Sequence, residues 1–313
     1  MKYRTLGRSG LMVSELCLGT VKYGAPVPDA GCARILDAAI DAGINLIDTA
    51  VVYGRSEEII GNALRQSGKR DAVFLATKIA PMQNDRMTVI RQCEQSLARL
   101  KTDRLDLLQL HRPSCEIPID ETLRALDDLI RAGKVRYIGS SGFKAWQIME
   151  SLWVASESGL NRFACEQSVY SLLCRRIEDE LVPMAQTYGI GLLLWSPLGA
   201  GTLTARYTRD NPPRHIRLDG NAWNVIDTVR QLADEKGCSP SQLALAWCLA
   251  QPGVTSAIAG PSSAEQLADN LGALSVELSQ DDLDRLDAVA PRGWSATREW
   301  IGAEFSRPHL NRC

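Results

Sequence analysis

Residues 45–54 read NLIDTAVVYG, and their pattern governs the reading of the whole chain. From Ile44 to Ile47 the stretch is a short, mostly apolar run without the alternation of a half-exposed strand, which suits a strand covered on both faces, as in a parallel sheet. It then ends in a carboxylate, Asp48, and a phenol, Tyr53, follows five residues later. A charge at the end of a covered strand marks the rim where a buried sheet meets a ligand or solvent.

The same pattern recurs. Strand-like runs occur at 15–19 (ELCLG), 44–49 (INLIDT), 73–78 (VFLATK), 104–111 (RLDLLQLH), 134–140 (KVRYIGS), 163–167 (FACEQ), 190–196 (IGLLLWS) and 255–260 (TSAIAG). Between them apolar residues fall at helix-face spacing, as in Ile35, Leu36, Ala39 and Ile40, then Val89, Ile90, Cys93, Leu97 and Leu100, then Leu123, Leu126, Leu129 and Ile130. Ser239-Pro240 supplies an N-cap and a first-turn proline for a further helix.

Parallel pairing needs a crossover, and right-handed crossovers put the helices outside. Eight such units predict an α/β fold, a (β/α)8 TIM barrel over 1–313 as a single domain. An open doubly wound sheet is the alternative, but dinucleotide versions carry G-x-G-x-x-G after the first strand, and GTVKYG at 19–24 does not match. Two parts exceed the repeat. YRTLGRSGLMVS at 3–14 predicts a hairpin closing the bottom of the barrel, and the stretch at 197–223 after strand seven is too long and too rich in Gly, Pro and Arg for a mere connection.

Composition excludes several classes. The chain has 313 residues, 45% hydrophobic, with 35 Lys and Arg against 37 Asp and Glu, so it offers no basic surface for nucleic acid or an anionic membrane. The N-terminus lacks the apolar segment of a signal peptide, and no run reaches the roughly 18 residues of a membrane span, so a cytoplasmic protein is expected. Nine scattered cysteines, odd in number and without a C-x-x-C pair, read as reduced thiols, and three distant histidines leave little for a metal site.

In barrels of this kind the chemistry sits at the C-terminal ends of the strands. Asp48 ends strand two, Lys78 strand three and His111 strand four, with Tyr53 just past Asp48. Singly, each has an ordinary reading as a turn, solvated or packing residue. Together, on strands about 4.8 Å apart, Asp48 and Lys78 can meet as an ion pair, with the phenol within reach of the ammonium and an imidazole that could orient a carbonyl oxygen. A lysine cation stabilises a neighbouring phenolate, so the set is equipped to protonate an oxyanion.

A hydride source is needed as well. GPSSAEQLADN at 260–270 follows strand eight, with Gly260 allowing close backbone approach and Ser262 with Glu265 fitting a capping box whose backbone N–H groups suit a phosphate. WSPLGAG at 195–201 adds loop backbone and the flat face of Trp195.

These segments, in this order, resemble the aldo-keto reductases over nearly the whole chain. NLIDTAVVYG, ATK and LLQLHRP look like the family's Asp, Tyr, Lys and His tetrad, here Asp48, Tyr53, Lys78 and His111. GKVRYIGSSGF, EQSVYSLL, LLLWSPLGAGTL and SAIAGPSSAEQLADN resemble its cofactor-side segments, and the G-x-S…Q…N pattern of the last looks like the branch that includes the potassium-channel β-subunits. The resemblance implies an NADP(H)-dependent carbonyl reductase with Tyr53 as general acid. It implies that Thr20 lines the nicotinamide pocket beside Asp48, that Ser141 and Gln167 hold the carboxamide, and that Trp195 stacks on the nicotinamide. Ser196, Pro197, Leu198, Gly199 and Gly201 would wrap the pyrophosphate, and Gly260, Ser262, Gln266, Asp269 and Asn270 the adenosine end.

Two departures stand out. The family's Ser-Asn after strand five is Ser141-Gly142 here, and there is no Lys or Arg between Gly260 and Asn270 to meet a 2′-phosphate. Arg206, or Arg214 or Arg217 in the same loop, could supply that charge, which favours NADPH/NADP+ over NADH/NAD+. Tyr23, Pro113, Trp294 and Trp300, with Tyr53 and His111, are candidates to line the pocket of a small carbonyl or alcohol substrate. A keto-sugar or biosynthetic reductase is a narrower version of this reading. The competing readings are a cofactor-holding regulatory subunit and a hydrolase or isomerase using Asp48, Glu116 and Glu166.

Overall fold

In the computed structural model, which describes residues 1–214 and 218–296, each of the eight apolar runs forms a strand. They are β3 (Leu16–Gly19), β4 (Leu46–Asp48), β5 (Phe74–Ile79), β6 (Leu105–Leu110), β7 (Val135–Ser141), β8 (Cys165–Val169), β9 (Gly191–Trp195) and β10 (Val254–Ala259). All pair in parallel, each with its neighbour in sequence, and β10 closes the ring on β3. The helices α1 (Asp29–Asp41), α2 (Ser56–Ser67), α3 (Arg86–Leu100), α4 (Ile119–Arg131), α5 (Ala145–Glu157) and α6 (Leu181–Tyr188) alternate with the strands. After β9 come α7 (Gly220–Lys236) and α8 (Pro240–Ala250), and after β10 come α9 (Ala264–Gly272) and α10 (Gln280–Val289).

The doubly apolar character of the runs has a direct cause. Side chains alternate between faces along a strand. Leu46, Ala76, Leu107, Cys165, Leu193 and Ile258 belong to one buried cluster inside the barrel, while Ile47, Leu75, Leu108, Leu192 and Leu194 join the cluster that the helices cover. Both faces exclude water, so both must be apolar.

The hairpin forms as predicted, with β1 (Tyr3–Thr5) antiparallel to β2 (Met12–Ser14). Leu6, Leu11 and Val13 are fully buried against the interior cluster, each worth roughly 1.5–3 kcal/mol of apolar burial. Gly7 has φ +54°, and a Cβ there would lie 2.2 Å from the carbonyl oxygen of Ala164, just before β8. Only glycine lets the turn approach the barrel's N-terminal end that closely. The hairpin therefore plugs the bottom, leaving the C-terminal rim open.

The cap of α8 is the expected one: Ser239 Oγ accepts from Gln242 N and the Gln242 side chain accepts from Ser239 N, with Pro240 in the first turn. The cap of α9 is a correction. Ser263, not Ser262, is the N-cap, accepting from Gln266 N at 3.3 Å, and the backbone N–H of Ser262 donates to Gln266 Oε1 at 2.8 Å. Gln266 completes both contacts, a role Glu265 was expected to fill. Among the described residues no helix is long and apolar enough to cross a membrane.

Candidate active site

Asp48 closes β4 and Lys78 lies at the next-to-last position of β5, so the barrel geometry brings them together above the interior cluster. Lys78 Nζ donates to both carboxylate oxygens of Asp48 at 2.7 Å and to the carbonyl oxygen of Thr49 at 3.0 Å. Gln167, on β8, adds a donor to Asp48 Oδ1 at 2.8 Å. Thr20 ties the end of β3 to the same place, its hydroxyl donating to the Asp48 carbonyl at 2.8 Å. The ion pair is sealed from water, with side-chain exposures of 0% for Lys78 and 4% for Asp48. Burial by itself pulls the ammonium pKa down, but the charge of Asp48 and the Tyr53 oxygen outweigh it and hold the pKa above the ordinary lysine value. Lys78 is a fixed cation.

After Asp48 the chain turns through Ala50–Tyr53, with Tyr53 N donating to the Ala50 carbonyl at 3.0 Å, and this brings the phenol back over the strand ends. Tyr53 Oη lies 3.5 Å from Lys78 Nζ. The His111 ring meets the Tyr53 ring edge-on, with centroids 5.8 Å apart. Burial first, then the positive charges of Lys78 and Arg112, push the His111 pKa down to about 3. The imidazole is therefore neutral at physiological pH, and its Nδ1 is buried without a hydrogen-bond partner among the described residues. All four members of the set are in one place.

These groups stand at one end of a cavity of about 650 Å³, within the range of roughly 300–1,000 Å³ for small-molecule sites. Its wall runs from Asp48, Tyr53 and His111 past Thr20, Ser141, Gln167 and Trp195. It continues over Ser196, Pro197, Leu198 and Gly201 to Arg206, Gly260, Gln266, Asp269 and Asn270. Ser196 and Ala200 hold positive φ values of 57° and 53°, uncommon for residues with a Cβ, and Ser196 Oγ accepts from Ala200 N at 2.9 Å. The turn after β9 is thus bent tightly toward the cavity, and Ala200 lines it where the sequence had pointed to Gly199, which is buried beneath.

Other expected residues lie elsewhere. Tyr23 is only 2% exposed and packs in the core, because the turn from Thr20 to Tyr23 directs the phenol inward and the neighbouring Lys22 toward the cavity. Pro113 is buried off the cavity wall, and Trp294 packs on the helix-side core with its carbonyl accepting from Arg175 N at 2.7 Å. Arg214 does not line the cavity, and Arg217 and Trp300 lie outside the described residues. Glu116 is exposed away from it. Glu166 is fully buried under Ser140, Ser168 and the Phe143 N–H, with burial raising its pKa to about 7.

Two charged cavity residues escaped the sequence reading. Lys22 lines the wall and donates from Nζ to Ser262 Oγ at 3.0 Å, which places Ser262 just behind the surface. Burial and then the positive charge of Arg206 lower the Lys22 pKa, so two cations face the same end of the cavity. Lys22, in the first loop of the barrel, thus sets a positive charge beside the 260–270 segment, which has no Lys or Arg of its own. Arg112 lines the wall beside Trp195, with Cζ 5.8 Å from the ring centroid. Its signal was only its place next to His111.

The model of the Aldo/keto reductase family matches residues 15–291, most of this barrel. The chain belongs to that family. This aldo/keto reductase is 38% identical over 316 aligned positions to a protein of Oryza sativa subsp. japonica named probable voltage-gated potassium channel subunit beta, covering 92% of this chain and 96% of the relative. The Arabidopsis thaliana protein of the same name is 36% identical over the same coverage. The oxidoreductase YrpG of Bacillus subtilis (strain 168) is 35% identical, covering 96% of this chain and 99% of the relative. Membership makes the chain an oxidoreductase of carbonyl chemistry.

Proposed function

We propose that this aldo/keto reductase is an NADP(H)-dependent carbonyl reductase that converts a small aldehyde, ketone or sugar carbonyl to the alcohol, or runs the reverse, with Tyr53 as the proton donor. The observation that carries the reading is the arrangement at the cavity's end. A phenol faces the cavity, a buried cation stands 3.5 Å behind it, and a carboxylate locks that cation.

The residues present fit a nicotinamide dinucleotide. The cavity is lined by Asp48, Tyr53 and His111, by Trp195, and by Lys22 and Arg206, whose paired charges suit a phosphate. When bound, the cofactor supplies the hydride. The protein does the rest: neutral His111 orients the carbonyl oxygen, and Tyr53 passes its proton to that oxygen as charge develops on it. Lys78 stabilises the phenolate left behind, and Asp48 keeps Lys78 in place and charged. Lys22 and Arg206 favour NADP(H) over NAD(H), because charge pairing at the ribose decides that preference.

The test is NADPH oxidation with a panel of carbonyls that includes 4-nitrobenzaldehyde, alongside nucleotide binding by calorimetry. Tyr53→Phe is expected to cut turnover by about 10²–10⁴, the usual worth of a positioned general acid, while still binding nucleotide. Unchanged turnover in Tyr53→Phe would remove Tyr53 from the mechanism. The likeness to the named channel β-subunits supports a second reading, a nucleotide-holding regulatory subunit. Tight nucleotide binding with negligible turnover, and stable co-purification with a membrane protein, would favour it.

A further inference from the structure

Tyr53 sits on a turn with little apolar material to hold it. Between Thr49 and Ser56 only Ala50 is buried, while Val52, Gly54 and Arg55 are exposed. Arg55 pairs with Asp29 at 2.9 Å, but both side chains are more than half exposed, and an ion pair so placed adds little. The position of the phenol, 3.5 Å from Lys78 Nζ, is therefore left to polar contacts. Two buried hydroxyls bracket the turn. Thr49 Oγ1, seven positions before Ser56, donates to Ser56 Oγ at 2.9 Å and so closes the loop that carries Tyr53. Ser56 Oγ donates to Thr20 Oγ1 at 2.8 Å, and Thr20 Oγ1 to the Asp48 carbonyl at 2.8 Å, all three side chains being fully buried.

The direction of this chain of hydroxyls is forced. A carbonyl oxygen only accepts, so Thr20 spends its one proton on Asp48, Ser56 spends its own on Thr20, and Thr49 on Ser56. The chain ends on an oxygen without a proton and includes neither the phenol nor the ammonium, so it carries no proton for the reaction. What it fixes is geometry. The Thr49 carbonyl accepts from Lys78 Nζ at 3.0 Å, and the backbone N–H of Ser56 donates to the Tyr53 carbonyl at 3.0 Å. Ser56 thus joins the backbone of the phenol to the backbone that seats its cation, and a buried network with every member satisfied is stiff.

We propose that Ser56 is a positioning residue for the proton donor: its hydroxyl staples the two ends of the Tyr53 turn, ties them to Thr20, and so holds the phenol at its distance from Lys78. The proposal rests on Tyr53 being the proton donor and adds the residue that fixes it in place. Ser56 does not line the cavity, so it acts on the reaction through Tyr53 and not through cofactor or substrate.

Steady-state kinetics of the full chain with NADPH and 4-nitrobenzaldehyde, alongside calorimetric titration with NADP+, test it. Ser56→Ala is expected to lower kcat by about tenfold to a hundredfold, as displacing a reacting group by up to about 1 Å does, while KM and NADP+ affinity stay within about twofold. Thr49→Val cuts the same staple without leaving a buried donor unpaired, so it carries the test even if Ser56→Ala does not fold, and it should lower kcat likewise. Thr49→Ser, which keeps the hydroxyl, should restore most of the turnover that Thr49→Val loses. In a Tyr53→Phe background, Ser56→Ala should change the residual kcat by less than about twofold, since no phenol remains to be positioned, whereas a purely structural role would lower both backgrounds alike. Unchanged kcat in Ser56→Ala and Thr49→Val, a matching loss of NADP+ affinity, or an equal loss of kcat with and without the phenol would overturn the proposal while leaving the proposed function standing. A wild-type chain that turns over no carbonyl defeats the proposed function, and the role of Ser56 with it.

Discussion

Removing Asp48 or Lys78 singly should cost more than removing both. Lys78 is wholly buried and its Nζ sits 2.7 Å from each oxygen of Asp48, so neither charge has water to fall back on. Asp48→Asn leaves the Lys78 cation and the Gln167 amide competing for one carbonyl oxygen, with a new NH₂ facing the ammonium. Lys78→Met leaves a buried carboxylate with only the Gln167 donor named above. Breaking a buried pair from one side costs about 3–5 kcal/mol, which at roughly 2 °C per kcal/mol for a chain this long lowers the melting temperature by about 6–10 °C. The double variant removes both charges and keeps an oxygen for Gln167, so it should melt within about 2–4 °C of wild type. The assay is differential scanning calorimetry of all four proteins at one scan rate, with NADPH turnover measured in parallel. Turnover should fall in all three variants, including the stable double one. A double variant that melts lower by the sum of the two single losses would show that the residues act independently, and would refute the account of Lys78 as a cation held by Asp48.

The other tests bear on different parts of the molecule. His111, with its pKa lowered from 6.5 to about 3, stays neutral in the fold while the unfolded chain takes up its proton. Its contribution to stability is therefore present above pH 6.5 and lost as pH falls toward 3, and a His111→Asn variant should lose less stability than wild type between pH 7 and 4, measured by urea titration. The same shift predicts no inflection near pH 6.5 from His111 in kcat/KM. Leu11→Ala, in the fully buried hairpin plug, should destabilise by about 2–5 kcal/mol in thermal melts without changing nucleotide affinity. Lys22→Ala should weaken NADP+ by about tenfold and leave NAD+ nearly unchanged in calorimetric titrations, because the lost contact is to charge rather than to the ring.

Much of the fold was legible because it depends on local repetition. Each barrel strand is apolar on both faces, as in Leu46 and Ile47, since one residue faces the interior cluster and the next faces a helix. The hairpin was readable from its glycines, and the α8 cap from Ser239-Pro240. Misreadings arose where one residue decides the geometry. The α9 cap fell on Ser263 rather than Ser262, with Ser263 Oγ accepting from Gln266 N while the Gln266 side chain accepts from Ser262 N. Tyr23 turned into the core because a tight turn set its direction, which periodicity does not encode.

The amino-acid sequence by itself determined the barrel, the rim on which chemistry would sit, and the order of Asp48, Tyr53, Lys78 and His111 along it. Those features follow from hydrophobic period and strand ends, which are local properties of the chain. Tertiary structure decided what those groups share. Closure of the ring by β10 on β3 carries Ser262 to Lys22, 240 positions apart, and sets two cations at one end of the cavity. The same closure brings Gln167, 119 positions away, onto Asp48, and the pairing of β6 with β7 lets Arg112 fill the space left by Gly142. Such contacts depend on through-space distance between loops whose spacing in sequence carries no record of it.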